Sequence, residues 1–340
     1  AIDSSFAPAY IHQVELALWL DGPEAAERYA EGYLRLNPTD VSASGIGLAH
    51  RLIQASRTRP SEIPGLVRGA SPVTLEDAWS ALRRSPDSSE SVLAVGRAMV
   101  EAPAGGSVGS VWEAGRRRHG AALLYRGRVR EATAMLFDTP NSPPPQLVEV
   151  ALLSPEPPGS AGPLFRRWLD EGAVAAVITL PWWVAQGNSG ALRTLQRRWD
   201  SVAGASPHGA VRGRAVYASQ AAQAYLTLLR GDTAATIRQL ETLPDSLCPF
   251  CYFQRLTLAQ LLSAKGEDRK VFQLMDGQLL ELLTPSEVLW TLERARVAER
   301  LGERETAARD YQYVADIWRK ADPQLQPYVE EAREGLIRVS

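Results

Sequence analysis

Six glycines punctuate this chain in the same way, each closing one amphipathic run and preceding another. They stand in LALWLDGPEAAERY, ALLYRGRVREATAML, WWVAQGNSGALRTL, YLTLLRGDTAATIRQL, QLLSAKGEDRKVFQL and VAERLGERETAARDY, at Gly22, Gly127, Gly187, Gly231, Gly266 and Gly302. The last three are 35 and 36 residues apart, close to the roughly 34 residues of one helix-turn-helix repeat. A residue without a Cβ is wanted where a helix ends in a left-handed turn. After the turn, apolar residues return at spacings of three and four, as at Ala307, Tyr311, Val314 and the Ile317-Trp318 pair, the period of one helix face. One helical pair cannot bury that face, whereas stacked pairs can. The expected fold is therefore all-α, an α-solenoid of helix-turn-helix repeats. Its central units are expected to be irregular, because the spacing widens to 60 residues from Gly127 to Gly187 and 44 from Gly187 to Gly231.

Strand signals are sparse. Val174 to Leu180 (VAAVITL) is β-capable, but it lies between helical patterns without hairpin turns and reads as buried helix. Two stretches interrupt the array. Residues 57–72 hold Pro60, Pro64 and Pro72, and residues 138–163 hold eight prolines. Proline removes a donor and clashes inside a helix, so both read as connectors, the second with room for a short helix at Gln146 to Leu153. Within it, Pro143 to Pro145 reads either as a polyproline ligand for an aromatic groove or as a stiff surface linker. The domain organisation expected is N-terminal helical repeats over 1–137, a proline-rich connector over 138–163, and C-terminal repeats over 164–340.

At this point the residues resemble the tetratricopeptide repeat (TPR) family. In the first unit Tyr10 takes the family's early aromatic position and Ala26 its small second-helix position, and Pro38 follows Ala26 by 12 residues, as the proline that closes a repeat does. In the last unit Gly302, Ala307 and Tyr311 match the turn, small and aromatic positions, while the Asp322-Pro323 pair arrives about four residues late, which predicts a longer second helix. The resemblance covers residues 7–38 and 211–320, and it implies a TPR-like groove for a protein or peptide. The tail, RARVAERLGERETAARDYQYVADIWRKADPQLQPYVEEAREGL, also resembles helical repeat regions that follow the catalytic domain in some bacterial serine/threonine kinases, although the chain has no Gly-rich loop, HRD or DFG. The opening AIDSSFAPAY resembles a junction between repeats, so a preceding repeat or domain is expected.

Composition narrows the function. The net charge is −2, which leaves the whole chain without the electrostatic footprint of a nucleic-acid binder. Charge is unevenly placed: residues 1–50 sum to −5 and residues 107–214 to +5. Of the 37 cationic residues 34 are arginines, and asparagine occurs only three times, a skew that reads as the drift of a GC-rich bacterial genome. The longest apolar stretch, Ala173 to Ala185, is about 13 residues and contains Pro181, short of the roughly 20 that span a bilayer. No basic and apolar leader opens the chain, which predicts a cytoplasmic protein or one whose signal peptide has been removed.

The candidate chemistry is modest. Cys248 and Cys251, in CPFC, read as buried structural thiols, a local disulfide, or a metal or redox pair. Against the last, the context is not βαβ, and His12, His50, His119 and His208 show no metal-ligand spacing. Arg116 to Arg118 on a helix fan over about 200° and cannot all face one groove. They read as a solvated face or, with Arg126, Arg197 and Arg198, as the lining of a concave surface that receives a partner's carboxylate or phosphate. Trp182 and Trp183 diverge by about 100° on a helix, so one is expected in the core while the other is free to anchor a peptide. No phosphate-binding loop, HExxH, GxSxG or GxGxxG is present. The expectation is a non-catalytic protein-interaction scaffold without cofactor, part of a larger bacterial signalling or assembly protein. The alternatives are a nucleic-acid-associated regulator using the arginine-rich middle, and an enzyme accessory domain.

Overall fold

The computed structural model describes residues 7–41, 44–83, 89–101, 108–139, 144–154, 156–172, 174–206, 209–244, 252–275 and 284–340. Among them the fold is all-α, with nineteen α-helices, short 3-10 turns and no strand. Contacts divide the chain into two compact units. Unit 1 comprises residues 1–142 with 316–322, and unit 2 comprises residues 143–315 with 323–340.

Unit 1 holds α1 (Ala7–Leu20), α2 (Pro23–Leu36), α3 (Gly45–Thr58), α4 (Ile63–Val67), α5 (Pro72–Leu82), α6 (Ser89–Glu101), α7 (Val108–Tyr125) and α8 (Val129–Leu136). Neighbours in sequence pack together: α1 on α2, α2 on α3, α3 on α5, and then α5, α6, α7 and α8 in turn. The proline-bearing stretch 57–72 is built as short helices rather than as bare connector. Pro60 opens a 3-10 turn, Pro64 sits in the first turn of α4, and Pro72 starts α5 behind the Ser71 cap. These are positions where the missing N–H has no helical partner to lose.

Unit 2 holds α9 (Pro144–Leu153), α10 (Ala161–Glu171), α11 (Leu180–Ala185), α12 (Ser189–Ala205), α13 (Ala210–Leu229), α14 (Thr233–Glu241), α15 (Tyr252–Ser263), α16 (Asp268–Met275), α17 (Pro285–Leu301), α18 (Arg304–Ile317) through Ala315, and α19 (Gln326–Val339). Its core joins Ala224 of α13, Ile237 and Leu240 of α14, Leu256 and Leu262 of α15, Val271 and Met275 of α16, and Trp290 and Val297 of α17. Residues 144–153 form a helix with seven buried members, Pro145 to Ala151. Pro144 and Pro145 are its first turn and so do not present an extended proline ligand, and Pro143 lies outside the described residues. VAAVITL forms a 3-10 turn (Val174–Thr179) that leads into α11.

The glycine turns share one hydrogen-bond plan. At Gly302 the backbone is left-handed (φ 80°), its N–H donates to Glu299 O at 3.1 Å, and the next N–H, of Glu303, donates to Ala298 O at 2.8 Å. This is the Schellman closure that glycine permits. The same pair of bonds recurs around Gly127, Gly187, Gly231 and Gly266. Gly22 departs from it. The residue after it is Pro23, which has no N–H to make the longer bond, and Gly22 instead caps α2 with ψ near 178°. The helix faces follow the spacing: Ala307, Tyr311, Val314, Ile317 and Trp318 are all at most 2% exposed.

The late Asp322-Pro323 pair has a different origin from a long helix. α18 has 14 residues, the same as α2. The added residues form a turn in which fully buried Trp318 donates its indole N–H to Tyr125 O at 3.0 Å. The turn belongs with unit 1 rather than with the helix before it.

Candidate interaction surface

In unit 1, α7 is the element that organises the arginine-rich stretch. Arg116 and Arg118 are two residues apart and leave the helix in opposed directions, as their 200° separation requires. Arg118 reaches α5, where it pairs with Glu76 and lies 5.8 Å from the centre of the Trp79 ring. Arg83 lies 5.7 Å from the same ring and pairs with Glu15 of α1 at 2.7 Å. Trp79, 6% exposed, thus has two guanidiniums near its ring that are themselves held by carboxylates, a structural brace across α1, α5 and α7.

Arg116 turns the other way. Its Nε donates to Thr139 Oγ1 and its Nη2 to Ala134 O, both at 2.8 Å, closing the end of α8. Its guanidinium lies 4.9 Å from the centre of the Trp112 ring. Trp112 stands one helical turn before Arg116 and is 42% exposed. The described hydrogen bonds of Arg116 go to neutral oxygens, so its positive charge is not cancelled by a carboxylate there. Sequence reasoning missed Trp112, although the i, i+4 spacing to Arg116 was there to be read.

Arg126 and His119 of unit 1 are both buried. Arg126 is buried at 4% exposure, beside the Tyr125 ring, and so does not line an open groove. His119 is buried against Gly96, where an added Cβ would lie 2.8 Å from Nδ1. Burial and then the nearby Arg97 and Arg128 lower its pKa to about 4, which leaves it a neutral core side chain at ordinary pH.

In unit 2, Trp182 and Trp183 are both buried, at 6% and 3% exposure. The expectation of one exposed anchor fails because the open side of α11 carries Pro181, Val184 and Ala185, while both tryptophans lie on the covered side. Trp182 meets Phe165 of α10 edge-on at 5.6 Å. Arg198 caps a helix rather than a ligand: its Nη1 donates to Leu169 O at 3.2 Å and to Asp170 O, at the end of α10. Arg197 is exposed, with a long bond from its Nε to Arg193 O at 3.4 Å. Cys248 and Cys251 lie outside the described residues. Among the described residues no group of three His, Cys, Asp or Glu side chains is placed to hold a metal ion, and no helix is long and apolar enough to cross a membrane.

No family model matches the chain, and no curated protein matches it. Among solved structures it is similar to the human IFIT1 dimer with PPP-AAAA, at 14% identity over 99% of this chain and 87% of that chain, with a TM-score of 0.38.

Proposed function

We propose that this chain is a non-catalytic helical-repeat scaffold that binds a peptide or partner domain through the Trp112 and Arg116 pair of unit 1. The observation that carries the reading is their preorganisation. An exposed indole is covered on one face by a guanidinium that its Nε and Nη2 bonds already fix at the end of α8. Tryptophan and arginine dominate interface hot spots, and a side chain ordered before binding loses less entropy on binding. The chemistry that suits the pair is an apolar or aromatic side chain for the open part of the indole, with a carboxylate nearby for Arg116. The tail's resemblance to kinase-linked repeats supports placing the scaffold in a larger bacterial signalling or assembly protein. The other arginines of the middle speak against a nucleic-acid groove, since Arg118 and Arg198 already hold oxygens of their own chain and Arg126 is buried.

Selection from a displayed peptide library with the whole chain tests this. Selected peptides should carry an acidic residue beside an apolar one, and Trp112→Ala should weaken them tenfold or more without lowering the melting temperature. Binding that survives both Trp112→Ala and Arg116→Ala would sink the reading. So would preferential capture of single-stranded nucleic acid with a steep salt dependence, which points instead to phosphate contacts.

A further inference from the structure

A buried polar cluster in unit 2 is one that the proposed binding surface does not use. Glu149 of α9 is 2% exposed, yet it carries a carboxyl group. Its Oε2 accepts the backbone N–H of Ser286 at 2.9 Å, across 137 residues of sequence. Ser286 lies in the first turn of α17, and the residue that should cap that helix, Thr284, supplies no side-chain cap. Glu149 therefore caps α17 from a distant helix, where unpaired N–H groups and the helix dipole favour an oxygen acceptor.

The rest of the cluster is incompletely satisfied. Glu149 Oε1, the Tyr252 hydroxyl and the Thr284 hydroxyl have no well-formed hydrogen bond, and Tyr252 and Thr284 are 3% and 0% exposed. Burial lifts the carboxyl from its ordinary 4.5 to about 7. Ser286 and Thr284 pull it back only in part, and Glu287 of α17 adds to the lift. Tyr252 of α15 faces it, its phenol held well above the usual range by burial and by Glu149 itself, with Glu287 and Tyr225 of α13 adding to the lift. Of the elements packed beside α9, the turn 174–179, α10 and α11 bury Ala176, Ile178, Phe165, Leu169, Leu180 and Trp183, apolar or neutral groups.

We propose that Glu149 is a proton-operated clasp between α9 and the start of α17, closed when its carboxyl is neutral and loosened when it is ionised. The neutral acid keeps Ser286 on Oε2 and has a proton to donate from Oε1 towards the Tyr252 or Thr284 oxygen. Loss of that proton leaves a buried charge whose desolvation outweighs what the donors of Ser286 and Thr284 return to it, so ionisation favours entry of water. With closed and open forms ionising near 7 and near 4.5, the open fraction should grow roughly tenfold between pH 6 and pH 8.5.

Hydrogen exchange on the full chain, corrected for the intrinsic rate, reads this directly. The amides of residues 146–153 and of Ser286 to Val288 should lose about tenfold protection over that range. In Glu149→Gln they should not, because the amide keeps an acceptor for Ser286 and cannot ionise. A flat wild-type profile, or the same loss in both proteins, overturns the proposal. Should the variant not fold, the carbon-13 titration of the Glu149 carboxyl in the wild type decides. A midpoint near 7 that coincides with the loss of protection supports the clasp, and a midpoint in the ordinary carboxylate range overturns it.

Discussion

The carboxylate of Asp322 accepts the backbone N–H of Arg130 at 2.9 Å, and the N–H of Asp322 donates to Gly127 O at 2.9 Å. These two bonds seat Asp322 over the turn between α7 and α8. Arg128, at the cap position of α8, supplies no side-chain acceptor to the first N–H groups of the helix. Asp322 takes over that duty from 192 residues away. Trp318, buried four residues earlier, fixes the same segment through Tyr125 O.

Removing that cap should be measurable. Asp322→Ala is expected to cost about 1 kcal/mol in chemical denaturation, the usual worth of an N-cap side chain. Asp322→Asn keeps the acceptor and should recover most of the loss. Equal loss in Ala and Asn variants would mean that the charge, rather than the hydrogen bond, holds the segment.

What could be read in the sequence follows the range of the interaction. The Schellman turns at Gly127, Gly187, Gly231, Gly266 and Gly302 depend on about six consecutive residues, so the pattern Gly-plus-helix was enough to find them. The buried faces followed for the same reason, as Ala307 and Tyr311 show. The long-range caps were invisible: nothing near Arg130 names Asp322, and nothing near Ser286 names Glu149. The arginines misled because their direction is set by partners on other helices. Arg116 finds α8 and Arg118 finds α5, and neither partner is legible in GRRRHG. Trp182 and Trp183 misled because divergence by about 100° still leaves two side chains on one half of a helix, and the open half of α11 is taken by Pro181, Val184 and Ala185.

Gly335 and Gly32 should respond oppositely to alanine. A Cβ on Gly335 would lie 2.5 Å from ring atoms of Tyr311. That ring is 1% exposed and tied through its hydroxyl to Glu299 at 2.6 Å, so it cannot swing aside. Gly335→Ala should destabilise by about 1–3 kcal/mol through overpacking. Gly32, inside α2, has nothing within 4 Å of its Cβ position, and Gly32→Ala should stabilise by about 0.5–1 kcal/mol by removing unfolded-chain entropy. Urea denaturation of the pair checks both signs.

Arg198 offers a test of cap against binding residue. Gly172 is left-handed at φ 67°, and the Arg198 guanidinium occupies the space a Cβ would need. Arg198→Ala should lower stability by about 1 kcal/mol, through the lost charge-assisted bonds to the end of α10. It should leave peptide affinity unchanged. Exposed Arg197→Ala should alter stability by less than about 0.5 kcal/mol. Loss of affinity in the Arg198 variant at unchanged stability would return this arginine to the binding surface.

The acid side of the stability profile should belong to His119. Its imidazole ionises near 6.5 when unfolded and near 4 when folded, so below 6.5 the unfolded chain binds the extra proton. Stability contributed by the neutral, buried ring is complete above pH 6.5 and is lost as the pH falls through 4, by about 3 kcal/mol at most. Glu149 acts in the opposite direction, with stability lost as the pH rises from 4.5 towards 7. His119→Gln should therefore flatten the acid limb and leave the alkaline limb in place, while Glu149→Gln should do the reverse. Urea midpoints from pH 4 to pH 8.5 separate the two. An acid limb that survives intact in His119→Gln would assign the loss to the carboxylates paired with arginine, such as Glu299 with Arg338, whose pKa is lowered by that pairing.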